Sequence, residues 1–189
     1  MFIRRATSAD IPALSLLSRQ TFTETFGDMY PPEDLRFFLD STYSPSELSR
    51  LFADERYATW LLVDEIPGNE DDATDRGVDG GRAVGYVLAG PAGLPHRDIA
   101  PGDGEVKRLY ILADHQGGGW GRALFETALE WLDSVGPRTL WLGVWSENFR
   151  AQRLYARYGF ERAGEYEFPV GLTRDHEFIF RRPAPRLGA

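Results

Sequence analysis

The 189-residue chain is predicted to fold as an α/β protein, with a mixed central sheet of about seven strands and helices on both faces. Two observations predict this class. Short apolar runs rich in β-formers alternate with amphipathic stretches of helical spacing, and the second half has the order strand, helix, strand, helix. Hydrophobic residues make up 42% of the chain, which is ample for a core, and the length fits a single domain over 1–189.

The first half is predicted to supply one strand, three helices and a pair of strands. The strands are expected at 2–6, 57–63 and 83–90, and the helices begin after Thr7, Pro31 and Ser44. Residues 64–82 separate the paired strands and carry seven acids against two arginines, a net charge of −5. So polar a segment is predicted to be a mobile acidic loop.

The second half is predicted to alternate strands and helices before closing with two more strands. The strands are expected at 105–112, 139–145, 161–167 and 175–181. One helix follows a glycine cluster at 116–121. The other follows Ser146, which is placed to cap it, and stops at Gly159.

Composition excludes several classes of protein. The chain has no cysteine, which rules out disulfides, thiolate catalysis and cysteine-based zinc sites. Its three histidines lack the spacing of metal ligands, so no metal is expected. A net charge of −8 argues against nucleic acid as a partner. No apolar run approaches the roughly 20 residues of a membrane span, so a cytoplasmic protein without a membrane partner is expected.

The glycine cluster has the features of a pyrophosphate cradle. It reads Gln116-Gly-Gly-Gly-Trp-Gly-Arg122 and joins an apolar strand to an amphipathic helix. Glycines let backbone N–H groups approach a ligand closely, and the N-terminus of a helix favours an anion. Arg122 adds a guanidinium that can grip a phosphate through two hydrogen bonds.

Two common phosphate-binding patterns do not fit this cluster. A P-loop needs a lysine after its glycines, but the single lysine, Lys107, precedes them. A dinucleotide-binding turn needs a third glycine, where Leu124 stands. The pattern that fits is Gln116-x-x-Gly119-x-Gly121, and an ordinary glycine-rich turn is the plainer alternative.

A second pattern lies 32 residues further on, from Gln116 to Asn148. It reads Asn148-x-x-Ala151-x-x-Leu-Tyr155-x-x-Tyr-Gly-Phe160. Together, and in this order, the two patterns resemble the acyl-CoA-binding signatures of the GCN5-related N-acetyltransferases, the GNAT superfamily. The resemblance covers nearly the whole chain.

The resemblance implies the acyl-CoA N-acyltransferase fold, with a mixed, mostly antiparallel sheet and acetyl-CoA as the co-substrate. In that fold the strands ending near Ile111 and Trp145 splay apart to admit the pantetheine arm. The Leu109 N–H would then stabilise the oxyanion. Asn148 would contact pantetheine, although it could equally be a helix-start residue. The residues expected to bind the co-substrate are Leu109, Tyr110, Ile111, Gln116, Gly117, Gly118, Gly119, Trp120, Gly121, Arg122, Asn148 and Tyr155.

Catalysis of acetyl transfer to an amine needs an acid and a base. By resemblance, Tyr155 gives a proton to the leaving thiolate, although it could instead be a packed aromatic, and Tyr158 is the weaker alternative. Glu105 matches a family glutamate that deprotonates the amine through a water. Alternatively, Glu105 is a solvated residue at the start of a strand. His96 is a less supported candidate for the base.

The acceptor region is predicted from residues 22–30 with 32–35, which are aromatic and acidic and suit a cationic, partly apolar amine. Glu24, Tyr30 and Trp145 are the candidate contacts, whereas Phe22 and Phe26 fit the core side of the first helix. The region also resembles bacterial polyamine N-acetyltransferases of the PaiA type. Two alternatives stay open, a protein N-terminal or lysine acetyltransferase and a non-catalytic acyl-CoA-binding regulatory module, and a homodimer is left open as the assembly.

Overall fold

A computed structural model of the protein describes residues 1–65, 81–136 and 138–185. Seven strands and five α-helices lie within these ranges. The strands are β1 (Phe2–Arg5), β2 (Ala58–Asp64), β3 (Arg82–Pro91), β4 (Gly104–Ile111), β5 (Leu140–Trp145), β6 (Glu161–Val170) and β7 (Thr173–Arg182). The helices are α1 (Ile11–Phe26), α2 (Pro32–Thr42), α3 (Pro45–Ala53), α4 (Trp120–Ser134) and α5 (Phe149–Arg157).

All seven strands belong to one sheet in the order β1-β2-β3-β4-β5-β7-β6. Every neighbouring pair is antiparallel except β4 and β5, which run parallel. The predicted mixed, mostly antiparallel sheet is therefore confirmed. The parallel pair is joined only at its start, through Gly104 with Leu140 and Glu105 with Trp141. Beyond these residues the two strands separate, and the sheet is open at its centre.

Helices cover both faces of the sheet. Both α1 and α4 pack against β3. Residues 84–90 of that strand are buried in an unbroken run. Because successive side chains of a strand point to opposite faces, an unbroken run means that neither face meets solvent. On the α4 side, Trp60 of β2 packs edge-on against Trp131.

A second hydrophobic cluster joins the first two helices to the far edge of the sheet. Its buried members are Phe22, Phe26, Tyr30, Phe38, Leu39, Tyr43 and Val170. Phe38 of α2 meets Phe168 of β6 edge-on, with ring centroids 5.6 Å apart. The predicted core roles of Phe22 and Phe26 are thus confirmed, and the same cluster fixes α2 beside β6.

Some local predictions need correction or remain untested. The predicted cap at Ser146 is wrong, because α5 begins at Phe149 and the Asn148 side chain caps it by accepting from the Ala151 N–H. Most of the predicted acidic loop, 66–80, lies outside the described residues. Across the described ranges no helix is long and apolar enough to cross a bilayer. The single-domain and homodimer predictions stay predictions.

Candidate active site

A cavity of about 830 Å³ opens where β4 and β5 separate. Its lining starts at the glycine turn before α4, follows both separated strands and ends against β6 and β7. The cavity therefore has two regions. We call the end beside the glycine turn the cofactor half and the end between α1, α2 and the β6–β7 hairpin the acceptor half.

The glycine turn lies at the N-terminus of α4, as predicted. Gly117, Gly118 and Gly119 have φ of +98°, +56° and +87°, a region that side chains other than glycine rarely adopt. No described atom lies within 4 Å of a Cβ built at Gly117 or Gly119. The turn consequently leaves open space above Gly117 and Gly119, at the positive end of a 15-residue helix.

The free edge of β4 runs from this turn into the cavity. The Leu112 N–H donates to Val84 of β3. Because the backbone groups of a strand point alternately to its two sides, those of Leu109 and Ile111 point away from β3, toward the opening. The Gln116 side-chain amide donates to the Ile111 carbonyl at 3.1 Å. Gln116 thereby ties the glycine turn to the β4 edge.

Arg122 stands at the mouth of the cavity, and its side chain is 67% exposed. Its Nε donates to Glu126 at 3.0 Å and to the Tyr158 hydroxyl at 3.1 Å. The Tyr158 hydroxyl in turn donates to Glu126 at 2.6 Å. This network pre-orients the guanidinium, and it directs the Tyr158 hydroxyl to Glu126, which does not line the cavity.

Tyr155 lies in the wall between the two halves. Its side chain is buried, and its ring packs against Phe125 with centroids 4.9 Å apart. Burial raises the pKa of the Tyr155 phenol to about 12, and the negative charge of Glu177 contributes to the shift. The phenol is therefore a weaker acid than a free tyrosine, and it holds its proton throughout the neutral range.

The acceptor half is aromatic on one side and acidic on the other. Tyr30 and Trp145, both predicted, line it, and Trp145 meets Phe26 edge-on with centroids 5.7 Å apart. Asp175 and Glu177 of β7 supply the acidic side. Sequence reasoning missed both carboxylates. The available signal was their spacing, because two acids at alternate positions of a strand lie on one face.

The Glu177 carboxylate lines the cavity beside Gly143 of β5. The Tyr166 hydroxyl donates to its Oε2 at 2.6 Å. A Cβ built at Gly143 would lie 2.9 Å from the same oxygen, so the carboxylate rests on bare β5 backbone. Burial raises the pKa of the Glu177 carboxyl. The Tyr166 hydrogen bond opposes that shift, whereas the charges of Asp175 and Glu105 add to it.

Two contacts join the α1–α2 segment to the β6–β7 hairpin beside the acceptor half. The Asp34 carboxylate of α2 accepts from the Leu172 N–H at 3.0 Å, and from the N–H and hydroxyl of Thr173 at 3.1 and 2.9 Å. These bonds lower the pKa of Asp34. The Tyr30 hydroxyl donates to Asp175. The α1–α2 segment and the β6–β7 hairpin are thus hydrogen-bonded to each other at two points.

Glu105 and Glu24, the two carboxylates predicted for the site, lie in different environments. Glu105 lines the cavity and is buried, not solvated; its Oε2 accepts from the Gly93 N–H at 2.6 Å and from Lys107 at 3.1 Å. Glu24 is exposed and outside the lining residues, and its carboxylate accepts from the Ala113 N–H at 3.0 Å. Of these two carboxylates, only Glu105 faces the cavity.

Most of the remaining predicted residues meet in this one cavity. Its lining includes Leu109, Tyr110, Ile111, Gln116, Gly117, Gly119, Gly121, Arg122, Asn148 and Tyr155. Gly118 and Trp120 belong to the same turn but are outside the lining of the described chain. Asn148 caps α5 and lines the cavity, and its contact with pantetheine stays a prediction.

A sheet that opens between its parallel strands, beside a glycine-rich helix N-terminus, defines an acyl-CoA-dependent acyltransferase. Residues 20–160 match the model of the acetyltransferase (GNAT) family. A relative from Lactobacillus delbrueckii subsp. lactis, named an uncharacterized N-acetyltransferase in the pepI 3′ region, is 30% identical over 185 residues and 95% of each chain. The chain belongs to the GNAT family and is an acetyl-CoA-dependent N-acetyltransferase.

Other similarities agree with this assignment. An uncharacterized N-acetyltransferase of Mycobacterium bovis is 27% identical, over 92% of this chain and 97% of the relative. The fold is similar to that of a PaiA N-acetyltransferase from Thermoplasma acidophilum in complex with coenzyme A, with a TM-score of 0.68, 16% identity and 96% and 98% of the chains covered. It also resembles the ribosomal-protein-S18-alanine N-acetyltransferase of Escherichia coli, with a TM-score of 0.64, 20% identity and 99% and 96% covered.

Proposed function

We propose that the protein transfers the acetyl group of acetyl-CoA to a primary amine of a small cationic acceptor of the polyamine type. The amine attacks the thioester directly while both substrates are bound. The observation that carries this proposal is the acceptor half itself, which is bridged from outside, aromatic on one wall and acidic on the other.

The cofactor half is suited to hold acetyl-CoA mostly through backbone. The N–H groups of the glycine turn, together with Arg122, take the pyrophosphate. The free edge of β4 at Leu109 and Ile111 pairs with the pantetheine arm as an added strand would. The Leu109 N–H then donates to the oxyanion, a contact typically worth about 2.7–4 kcal/mol.

Tyr155 is the proposed acid for the departing sulfur. It lines the cavity at the junction of the two halves, and its phenol is protonated at neutral pH because its pKa is raised to about 12. Tyr158 fits this role less well, because its hydroxyl donates to Glu126. For the base, two cavity carboxylates qualify by position: Glu105, expected from the sequence, and Glu177.

The charge and shape of the acceptor half favour a cation. Asp175 and Glu177 face an aromatic wall that includes Tyr30 and Trp145, a lining that attracts an ammonium group through both its charges and its ring faces. The similarity to a PaiA enzyme agrees with this acceptor class. Glu24 is omitted from the proposed site because its carboxylate is bound to Ala113, outside the lining.

A protein acceptor is the second candidate, since one structural relative is named as a ribosomal-protein alanine N-acetyltransferase. A peptide needs a groove open at both ends to reach the thioester. The hydrogen bonds from the β6–β7 turn to Asp34 and from Tyr30 to Asp175 tie this hairpin to the helices beside the acceptor half. They favour a small acceptor over a peptide.

The test is release of free CoA from acetyl-CoA by the purified protein with a matched panel of acceptors. Spermidine and 1,4-diaminobutane represent cationic amines, butylamine has one amine and no second charge, and short peptides represent protein acceptors. The proposal predicts the highest kcat/KM with the diamines. A peptide preference would replace it with the protein-acetyltransferase alternative, and no amine-dependent release would contradict it.

A further inference from the structure

We propose that Glu177, and not Glu105, is the carboxylate that removes the proton from the acceptor ammonium group. This inference rests on the proposed function, because it requires an amine acceptor in the acceptor half. It assigns the catalytic base to β7, away from the glycine and asparagine patterns that identify the family in the sequence.

The position of Glu177 is the first reason. Its Oε2 lies against Gly143, two residues beyond the last paired residue of β5, where β4 and β5 have already separated. The absence of a side chain at Gly143 is what leaves room for the carboxylate, because a Cβ there would lie 2.9 Å from Oε2 and 3.0 Å from the Tyr166 hydroxyl. The carboxylate therefore sits in the opening between the two halves.

The free capacity of Glu177 is the second reason. Tyr166 donates to one oxygen and fixes its direction, and a carboxylate keeps further lone pairs for an ammonium N–H. Glu105 is held by two donors, one of them charged. One of its oxygens holds both the Gly93 N–H and the Lys107 ammonium, and the pair is largely shielded from water. Protonating Glu105 would leave Lys107 without its partner.

The surroundings of Glu177 also suit a base. The titratable groups facing it are Tyr166 on β6, Tyr155 on α5, Tyr110 and Glu105 on β4, and Asp175 on β7. These are neutral phenols and other acids. Burial and the neighbouring negative charges raise the pKa of Glu177. A carboxyl with a raised pKa is a stronger base near neutral pH.

The proton transfers balance as follows. Glu177 takes one proton from the ammonium, and the free amine forms a bond to the thioester carbonyl carbon. As the C–S bond breaks, Tyr155 gives its proton to the sulfur and receives the remaining surplus proton from the nitrogen. The products are the amide, CoA thiol and one proton, which Glu177 releases to solvent.

The experiment compares Glu177→Gln with Glu105→Gln, using acetyl-CoA and the best amine of the panel. Glutamine keeps the size of each side chain and still accepts a hydrogen bond. We expect Glu177→Gln to lower kcat/KM at neutral pH by about 10²–10⁴-fold, the usual contribution of a general base. Calorimetric affinity for acetyl-CoA stays unchanged. Glu105→Gln loses less than about tenfold, on the scale of one hydrogen-bond partner.

The pH profile separates a base from a structural residue. Without its base the enzyme can use only the amine already neutral in solution, so the deficit of Glu177→Gln shrinks as pH rises toward the amine pKa of about 10. Wild-type kcat/KM falls on the acid side, through a pKa above the ordinary glutamate value of about 4.3. In Glu177→Gln that limb is replaced by a rise in kcat/KM that continues toward the amine pKa of about 10, whereas Glu105→Gln keeps the wild-type limb.

A second variant and an exposed control complete the design. Gly143→Ala crowds the Glu177 carboxylate without removing it, so kcat falls but the acid limb remains. Glu165→Gln, an exposed glutamate on β6 that binds Arg162, leaves all parameters unchanged. Alkaline recovery in Glu105→Gln, or a loss in Glu177→Gln that persists at high pH, overturns the inference. Failure of the proposed function looks different, because wild-type protein would then release no CoA with any amine.

Discussion

The two halves of the cavity are built in different ways. The cofactor half consists mainly of backbone: three glycines with positive φ, the N-terminus of α4 and the free edge of β4. The acceptor half consists of side chains from α1, α2, β6 and β7. Backbone groups bind what all substrates of the family share, whereas side chains can be exchanged without disturbing the fold. The groups that carry the chemistry common to the family and the groups that set the specificity of this chain thus lie in different parts of the cavity.

The largest effect is expected from Gly119→Val in the cofactor half. Valine disfavours φ of +87°, and its side chain fills the open space above the turn. Acetyl-CoA affinity should fall about 100-fold or more by calorimetry, the cost of losing two or more charge-assisted hydrogen bonds.

The matched control for this variant is Gly102→Val. Gly102 has φ of +95° and open space around it but lies outside the cavity lining. The control suffers the same backbone strain and should keep its acetyl-CoA affinity. An equal loss in both variants would assign the effect to backbone strain, and normal affinity in Gly119→Val would mean that the cradle is not a binding site.

Tyr155→Phe tests the junction of the two halves. The ring packing on Phe125 is preserved, while the proton donor is removed. We expect kcat to fall about 100-fold with acetyl-CoA affinity nearly intact, because a general acid acts on the reaction and not on binding. Tyr158→Phe, which loses the hydrogen bonds of this hydroxyl to Glu126 and Arg122, should keep kcat within a fewfold. A large loss of affinity in Tyr155→Phe would make Tyr155 a binding or packing residue.

Asp175→Asn tests the charge of the acceptor half alone. Replacing the carboxylate removes one negative charge from the wall of the pocket but keeps a similar shape. KM for a diamine should rise roughly tenfold, at the low end of what a hydrogen bond to a charged group contributes. Acetyl-CoA affinity should not move. An unchanged KM would remove Asp175 from the acceptor site.

The smallest effect is expected from Asp34→Ala, which opens the bridge between α2 and the β6–β7 turn. Three hydrogen bonds are lost, yet no group inside the cavity changes. KM for the amine should rise less than about tenfold, while peptides become better acceptors. Asp133→Ala, which breaks a surface ion pair with Arg182, is the control. Unchanged discrimination between amines and peptides would refute the closing role of the bridge.

The same division explains how much the sequence alone could predict. The residues of the cofactor half lie in short contiguous segments of the sequence, so Gln116 to Arg122 and Asn148 to Tyr155 could be found without a structure. The succession of strands and helices along the chain was also predictable, since each strand carries its own local signal. The acceptor half joins residues far apart, as with Tyr30 and Asp175, which are separated by 145 positions. No local pattern marks Glu177 as a neighbour of Gly143. Glu24 was wrongly assigned to the acceptor site for the same reason. The packing of α1 against the segment after β4 decides where the Glu24 side chain points, and the sequence does not show that packing.

The central claim is that the two halves form one cavity that holds both substrates together. The most direct test is a two-substrate initial-velocity study of the wild-type protein, with acetyl-CoA and a diamine varied independently. Direct attack in a ternary complex predicts double-reciprocal lines that intersect. Parallel lines, the signature of an acetylated enzyme intermediate, would contradict the account.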